Sequence, residues 1–276
     1  MSPQADEDDP RADASQELPT GRGQSRRWRA ALIPLALLCV AVLMCHHPMI
    51  RSGFSRMQTD TGDTRLNNYF LEHTWRVITC SSGGRGLWNP GFFYPEESVG
   101  AFGDMLLSVA PPYWLYRLAG FAPDTAFQLW MITVTVANWA VFFLFLRSGF
   151  RLETLPAALG AVLFAAGSSR VAQMSHQQLL AHVYPVLAFL ALARLFAPDA
   201  DPPARTGTRR WKTSAWLALL FASVAAQFWG GIYNAVFLCL LLGSLALAGA
   251  FFRPVRARAI ALVRGHWPDV VVLACL

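Results

Sequence analysis

The chain has 276 residues, of which 54% are hydrophobic and only 14% are charged, whereas a soluble domain usually carries about 25% charged residues. Its net charge is +6, but Lys212 is the one lysine among the 23 basic residues, and the arginines stand mainly at the ends of apolar runs. Basic residues placed in this way orient membrane proteins and do not form a nucleic-acid-binding stripe. The composition therefore excludes a soluble globular domain and predicts no nucleic-acid partner.

The N-terminal part is predicted to be a disordered cytoplasmic tail, residues 1–29, followed by a first transmembrane helix, residues 30–46. Residues 1–21 are acidic and show no periodicity, which is typical of disorder. Four arginines lie directly before the apolar run: Arg22, Arg26, Arg27 and Arg29. Because no small-residue cleavage site follows that run, we interpret it as an uncleaved signal anchor with its N-terminus in the cytoplasm.

Residues 47–103 are polar and rich in glycine, proline and aromatic residues. Within them, apolar side chains recur at helical spacing at Leu66, Tyr69, Phe70, His73 and Val77. This spacing predicts an amphipathic helix that lies on the membrane surface. Asp63 stands at the head of the predicted helix.

Six further apolar runs are candidates for membrane spans: 104–119, 125–146, 155–168, 178–197, 213–229 and 232–252. The run 104–119 contains Pro111-Pro112, which removes helical hydrogen bonds that lipid cannot replace. If this run lies on the outer surface, eleven basic residues fall in inner turns and Arg170 alone falls in the short outer turns. The eleven are Arg147, Arg151, Arg194, Arg205, Arg209, Arg210, Lys212, Arg253, Arg256, Arg258 and Arg264. The positive-inside rule therefore favours a surface helix at 104–119.

The predicted fold is an all-α polytopic transmembrane bundle with surface helices in an outer loop, residues 47–123. The bundle itself comprises residues 124–276 and has five spans after the first helix. A seventh apolar run begins near Val270 and reaches the last residue. We therefore expect the chain to be an N-terminal fragment of a longer protein, truncated within that span.

Asp63 is the candidate catalytic residue. A carboxylate at the membrane–water boundary can take a proton from an acceptor hydroxyl, although Asp is also a preferred N-cap residue. Further candidates for acid–base chemistry or substrate contact are Asp60, Glu72, His73 and Asp104. Solvated or interfacial roles are the alternative for these residues.

Candidate residues for a lipid-linked phosphate are Arg65, Arg170 and His176. Arg170 and His176 stand with Gln173 and Gln177 at helical spacing near an outer face, and arginine suits the geometry of phosphate. Snorkelling polar ends of two helices explain the same pattern. The aromatic loop 86–95 can stack on sugars or form an interfacial belt. No HExxH, CxxC or Walker-type motif is present, so no metal ligand is assigned and a divalent metal stays an open possibility.

The order of these features resembles the GT-C membrane glycosyltransferases. Pro111-Pro112-Tyr113-Trp114-Leu115-Tyr116, followed by Gly120 and the span 125–146, is similar to the second surface helix of protein mannosyltransferases and aminoarabinose transferases. Four other stretches resemble YfhO-like GT-C proteins: Gly62 to Asn67, Leu71-Glu72-His73, Phe92-Phe93-Tyr94-Pro95, and Arg170 to His176. The resemblance covers residues 30 to about 250.

The resemblance implies a GT-C-like fold in a bacterial inner membrane, with a polyprenyl-phosphate-linked sugar as donor and transfer on the outer face. It also implies that Asp63 is the catalytic carboxylate. Many relatives carry an acidic pair at this point, whereas Thr64 follows Asp63 here. The alternatives are a transporter or flippase for lipid-linked glycans and a non-catalytic membrane remnant. A transporter usually carries ionisable residues at mid-membrane, and the spans after residue 125 carry almost none.

Overall fold

The structure is a computed structural model that describes residues 22–57, 62–197 and 207–274. Across these residues the chain is helical, without a β-strand, so the predicted all-α class is confirmed. The helices are α1 (Arg22–Arg51), α2 (Asp63–Ile78), α3 (Pro111–Leu118), α4 (Pro123–Ser148), α5 (Thr154–Ala166), α6 (Ser168–Ala172), α7 (Val183–Leu195), α8 (Gly207–Gly230), α9 (Ile232–Phe251) and α10 (Arg253–Ala274).

Six helical segments of the described residues are long and apolar enough to cross a membrane: Leu32–Arg51, Pro123–Ser148, Thr154–Ala172, Gln177–Leu195, Arg210–Gly230 and Ile232–Phe251. They coincide with the first predicted span and the five complete spans predicted after it. The chain therefore has the helices of a multi-pass membrane protein, and a lipid bilayer is its environment.

The segment 104–119 forms no span. After a 3-10 turn at Leu107–Val109 it contains only α3, which has 8 residues and a length of about 12 Å, against a hydrocarbon core of about 30 Å. Pro111 and Pro112 occupy the first two positions of α3, where a missing N–H group costs no helical hydrogen bond. The segment thus contains a short helix and no span, and its location on the outer membrane surface stays a prediction.

Two boundaries differ from those predicted. Helix α1 begins at Arg22, inside the predicted tail, and continues to Arg51, beyond the predicted end at residue 46. Arginine is a good helix former, which accounts for the extension at the N-terminal end, where Arg22, Arg26, Arg27 and Arg29 stand. The run near Val270 belongs to the end of α10, which has non-helical backbone angles at His266.

The spans pack closely because α5 presents small side chains to α1 and α4. Ala157, Ala158, Ala161 and Ala165 are buried, and small residues allow helix backbones to approach in a membrane. One polar contact joins α1 and α4 inside the bundle: His46 Nε2 lies 2.8 Å from Thr135 Oγ1.

Contacts between helix ends show that the spans run in alternating directions, so the bundle has two distinct ends. At the first, which we call the site end, α1 ends and α4, α7 and α9 begin; the Tyr184 hydroxyl there donates to the Ser108 carbonyl at 2.6 Å. At the opposite, arginine end, α4, α7 and α9 end, and Arg258 Nε donates to the Leu195 carbonyl at 3.1 Å. The turns after α4 and α9, with Arg147, Arg151 and Arg253, lie together at the arginine end, and helices α2 and α3 lie at the other. Arg205, which belongs to the same predicted group, lies outside the described residues.

Candidate functional site

Asp63 is the first residue of α2, and Gly62 occupies the N-cap position. The Asp63 side chain turns toward the link between α6 and α7. Its Oδ2 accepts a hydrogen bond from His176 Nδ1 at 2.6 Å and a longer one from Gln178 Nε2 at 3.4 Å. Asp63 is therefore not the N-cap residue, and its carboxylate is held by groups from the bundle.

A buried set of amides fastens the start of α2 to this link. Asn67 Nδ2 donates to Gln177 Oε1 at 3.1 Å and to Gln178 Oε1 at 2.9 Å. Gln177 Nε2 donates to Thr64 Oγ1 at 2.8 Å. Thr64, Asn67 and Gln177 are all buried, and buried polar groups that are fully bonded specify one arrangement. The sequence did not single out Gln178, although an amide pair at 177–178 beside an apolar span is the signal that marks it.

The environment of Asp63 keeps its carboxyl ionised. Hydrogen bonds from His176 and then Gln178 lower the pKa of Asp63 below its ordinary value, against a smaller opposing effect of burial. The side chains of His176 and Asp63 are 51% and 42% exposed, so both can meet a solute. An ionised, partly exposed carboxylate can accept a proton.

An open cavity of about 1370 Å³ lies beside Asp63 at the site end. Its wall comes from the first two turns of α2, from the aromatic loop and from the segment that carries Asp104. Asp63, Arg65 and Asp104 line this one cavity together with Gln178. The structure thus brings the start of α2 together with Asp104 and Gln178, which are distant from it in the sequence.

The aromatic loop 86–95 forms one wall of the cavity, which we call the aromatic wall, and α2 holds it in place. The Tyr69 hydroxyl donates to the Pro90 carbonyl, and His73 Nε2 lies 3.2 Å from the Gly86 carbonyl and 3.1 Å from the Leu87 carbonyl. His73 is only 4% exposed, so it anchors the loop and does not face the cavity.

Two rings of the aromatic wall remain open to a ligand. Phe92 packs against Phe70, with ring centroids 5.8 Å apart. Phe93 and Tyr94 follow it in the cavity lining and are 74% and 96% exposed. Exposed aromatic faces of this kind can stack on a sugar or contact a lipid.

Asp104 caps a transmembrane helix from a distant part of the chain. Its Oδ1 accepts the Ile232 backbone N–H, the first of α9, at 2.6 Å. Burial raises the pKa of Asp104, and this hydrogen bond opposes the rise. A Cβ atom on Gly231 would lie only 3.0 Å from the Gln178 carbonyl. Glycine at this position therefore lets the start of α9, which Asp104 caps, pack closely against Gln178, the residue that also binds Asp63.

Glu72 has a different environment from Asp63. It accepts hydrogen bonds from the Tyr113 hydroxyl at 2.8 Å, from Arg117 Nε at 2.9 Å and from Arg76 Nε at 3.0 Å. Burial, followed by the bond to Glu72, raises the pKa of Tyr113, so its hydroxyl stays protonated and donates. Glu72 does not line the cavity and instead fixes α3 against α2.

The candidate phosphate residues separate in space. Arg65 lines the cavity with Asp63. Arg170 is absent from the described lining of the cavity. Its Nη1 lies 3.0 Å from the His182 ring, and its guanidinium lies 5.2 Å above the Phe164 ring.

Asp60 lies outside the described residues. Within 22–57, 62–197 and 207–274, no group of three or more His, Cys, Asp or Glu side chains is arranged to hold a metal ion.

Comparison of the chain with protein-family models, curated proteins and solved structures gives no match. The chemistry of the site itself is therefore the basis on which its function is inferred.

Proposed function

We propose that this chain is a membrane glycosyltransferase of the GT-C type that acts at the site end of the bundle. The observation that supports this most directly is Asp63, an ionised and half-exposed carboxylate fixed by His176 at the edge of the cavity. A carboxylate held in this way suits the activation of a hydroxyl group.

In the proposed reaction the acceptor hydroxyl attacks the anomeric carbon of a sugar carried by a polyprenyl phosphate. The proton of that hydroxyl passes to Asp63 as the new carbon–oxygen bond forms. The bond between the anomeric carbon and the phosphate oxygen breaks, and polyprenyl phosphate leaves with the negative charge. Arg65, the basic residue of the described cavity lining, is suited to bind that phosphate.

The aromatic wall suits the sugar. Phe93 and Tyr94 are largely exposed and line the cavity, and an aromatic face pairs with the apolar face of a pyranose ring. Asp104 also lines the cavity, where its free oxygen can accept a hydrogen bond from a sugar hydroxyl.

The positive-inside rule orients the proposed enzyme. It puts the arginine end and the N-terminus in the cytoplasm and the site end on the outer face of a bacterial inner membrane. The partners in this proposal are the lipid bilayer, the polyprenyl-phosphate sugar and an acceptor that arrives from the water phase.

The decisive test compares Asp63→Asn with Asp124→Asn in the whole protein, reconstituted with membrane lipids that contain polyprenyl-linked sugars. Asp124 is a matched control: it also lies in the first turn of a helix at the same end, bonded to Asn68 at 2.8 Å, but it does not line the cavity. General-base catalysis typically supplies a factor of roughly 10²–10⁴, so Asp63→Asn should lower glycan transfer by that factor and Asp124→Asn should leave it unchanged. Near-normal transfer by a folded Asp63→Asn protein would refute the role of Asp63.

A flippase or transporter gives a different result in the same vesicles. It would move the labelled lipid between leaflets without forming a new glycosidic bond. Movement without transfer, in the wild-type protein and in Asp124→Asn, would therefore replace the transferase proposal by the transport one.

A further inference from the structure

A second cavity lies at the arginine end, far from Asp63. It is a groove of about 690 Å³ between α7, α8, α9 and α10. Its walls are apolar and include Leu192, Phe221, Leu242, Ala246 and Ile260. Most of the lining residues belong to membrane spans, so hydrocarbon rather than water surrounds the groove in a bilayer.

A charged residue contributes to the wall of this groove. Arg256 is the one charged member of its described lining, and it is exposed. One of its guanidinium nitrogens, Nη1, donates to the Ala250 carbonyl at the end of α9, at 2.9 Å. This bond fixes the guanidinium at the groove, and its other N–H groups can bind an anion.

The first half of α10 lies across the end of the bundle. It begins at the end of α9, Arg258 binds the Leu195 carbonyl at the end of α7, and the Ser214 hydroxyl near the start of α8 lies 3.3 Å from His266 Nδ1. A helix with contacts at three helix ends lies at the membrane boundary, where lipid headgroups are found.

Further arginines lie on the helices that form the groove. Arg253 and Arg264 are exposed on α10. In the last turn of α7, the Arg194 guanidinium lies 5.8 Å above the Trp216 ring, and its Nε is buried without a hydrogen-bond partner in the described part of the chain. Basic pockets between transmembrane helices attract anionic headgroups.

We propose that this groove binds one anionic phospholipid of the leaflet at the arginine end. One acyl chain fills the apolar groove, and the phosphate binds the guanidinium of Arg256. This site is independent of the proposed transferase reaction, because its residues lie at the other end of the bundle.

The test measures lipid binding to the purified whole protein, with phosphatidylglycerol and phosphatidylcholine of identical acyl chains as probes. Native mass spectrometry gives the retained lipid, and the midpoint of thermal unfolding gives the stabilisation. Wild-type protein should retain phosphatidylglycerol preferentially and be stabilised more by it. Arg256→Gln should weaken phosphatidylglycerol binding by roughly five-fold, because one arginine near a membrane surface contributes about that factor, and Arg256→Lys should keep most of the preference.

Two variants separate the groove from diffuse surface charge. Ala246→Trp fills the groove without changing the charge and should reduce retention of phosphatidylglycerol. Arg151→Gln removes an exposed arginine from the α4–α5 turn at the same end, outside the groove lining, and should have little effect. The proposal would be overturned if the protein binds the two lipids equally, or if Arg151→Gln and Arg256→Gln have equal effects. It would also be overturned if the protein is a dimer that Ala246→Trp dissociates. If Ala246→Trp does not fold, Arg256→Gln against Arg256→Lys and Arg151→Gln still decides it.

Discussion

The Nδ1 atom of His176 lies 2.6 Å from the Oδ2 atom of Asp63, although 113 positions separate the two residues in the chain. The sequence pattern assigned them different tasks, with Asp63 as the catalytic carboxylate and His176 as a phosphate ligand. In the structure they form one hydrogen-bonded pair at the edge of the cavity. The imidazole orients the carboxylate and stabilises its charged form.

We predict that His176 acts on transfer by setting the pKa of Asp63. The His176 hydrogen bond is the largest cause of the lowered pKa of Asp63. Removing it in His176→Ala should raise that pKa, so the loss of transfer at acid pH should begin at a higher pH than in the wild type. His176→Asn should behave more like the wild type, because an asparagine amide can occupy the place of the Nδ1–H donor. If the rate of glycan transfer falls at the same acid pH in the wild type and in His176→Ala, this role of His176 is contradicted.

Asp104 should affect stability through two separable properties, its charge and its hydrogen bond to α9. Burial raises its pKa, so the folded protein favours the neutral form. Its contribution is most favourable below the ordinary value of 3.8 and diminishes as the pH rises through the raised folded pKa. Asp104→Asn keeps an oxygen for Ile232 N–H and removes the charge, so its thermal stability at pH 7 should equal or exceed that of the wild type, and the gain should vanish at acid pH.

Asp104→Ala is the companion variant for the hydrogen bond. It leaves the first N–H of α9 without its acceptor and should cost about 1 kcal/mol, the usual loss for a helix cap. Unfolding midpoints at pH 7 and pH 4 compare the variants. A stability of Asp104→Asn below that of the wild type at pH 7 would show that the charge itself is required, and equal stabilities of Asp104→Asn and Asp104→Ala would show that the hydrogen bond to Ile232 contributes nothing.

Glu72 should be important for folding. Glu72→Gln leaves Arg117, whose side chain is only 19% exposed, without its carboxylate, and breaking such a pair costs about 3 kcal/mol. Tyr113→Phe removes only one neutral donor and should cost about 1 kcal/mol. The unfolding free energies of Glu72→Gln, Arg117→Gln and the double variant measure the coupling. If Glu72→Gln folds as stably as the wild type but abolishes transfer, Glu72 is a catalytic residue and not an anchor of α3.

The two ends of the bundle should lie on opposite sides of the membrane. Single cysteines at positions 120 and 122, between α3 and α4, should react with an impermeant reagent added from outside. A cysteine at position 212, near the start of α8, should react only after the membrane is opened. The experiment needs a background without the native cysteines, because Cys80 is exposed in the loop at the site end. Protection of 120 and 122 together with labelling at 212 would invert the orientation.

The residues themselves determined the spans and the two helices of the segment between α1 and α4. Hydropathy is a local property, so a run such as 125–146 identifies its own span without reference to the rest of the chain. The period of Leu66, Tyr69, Phe70 and His73 likewise predicted α2, and Pro111-Pro112 indicated that α3 is not a span. Helix ends were less certain, since arginines extend α1 beyond its apolar part.

Only the tertiary structure decided which polar groups share the site. Glu72 and Asp63 lie on the same short helix, yet Glu72 faces Arg117 and Tyr113 while Asp63 faces His176. Nothing in their spacing distinguishes the two carboxylates, because their partners come from segments that the chain brings near only when the spans have packed. The capping of α9 by Asp104 arises in the same way. Local pattern fixes which segments are helices, whereas the pairing of side chains more than a hundred positions apart depends on how those helices pack.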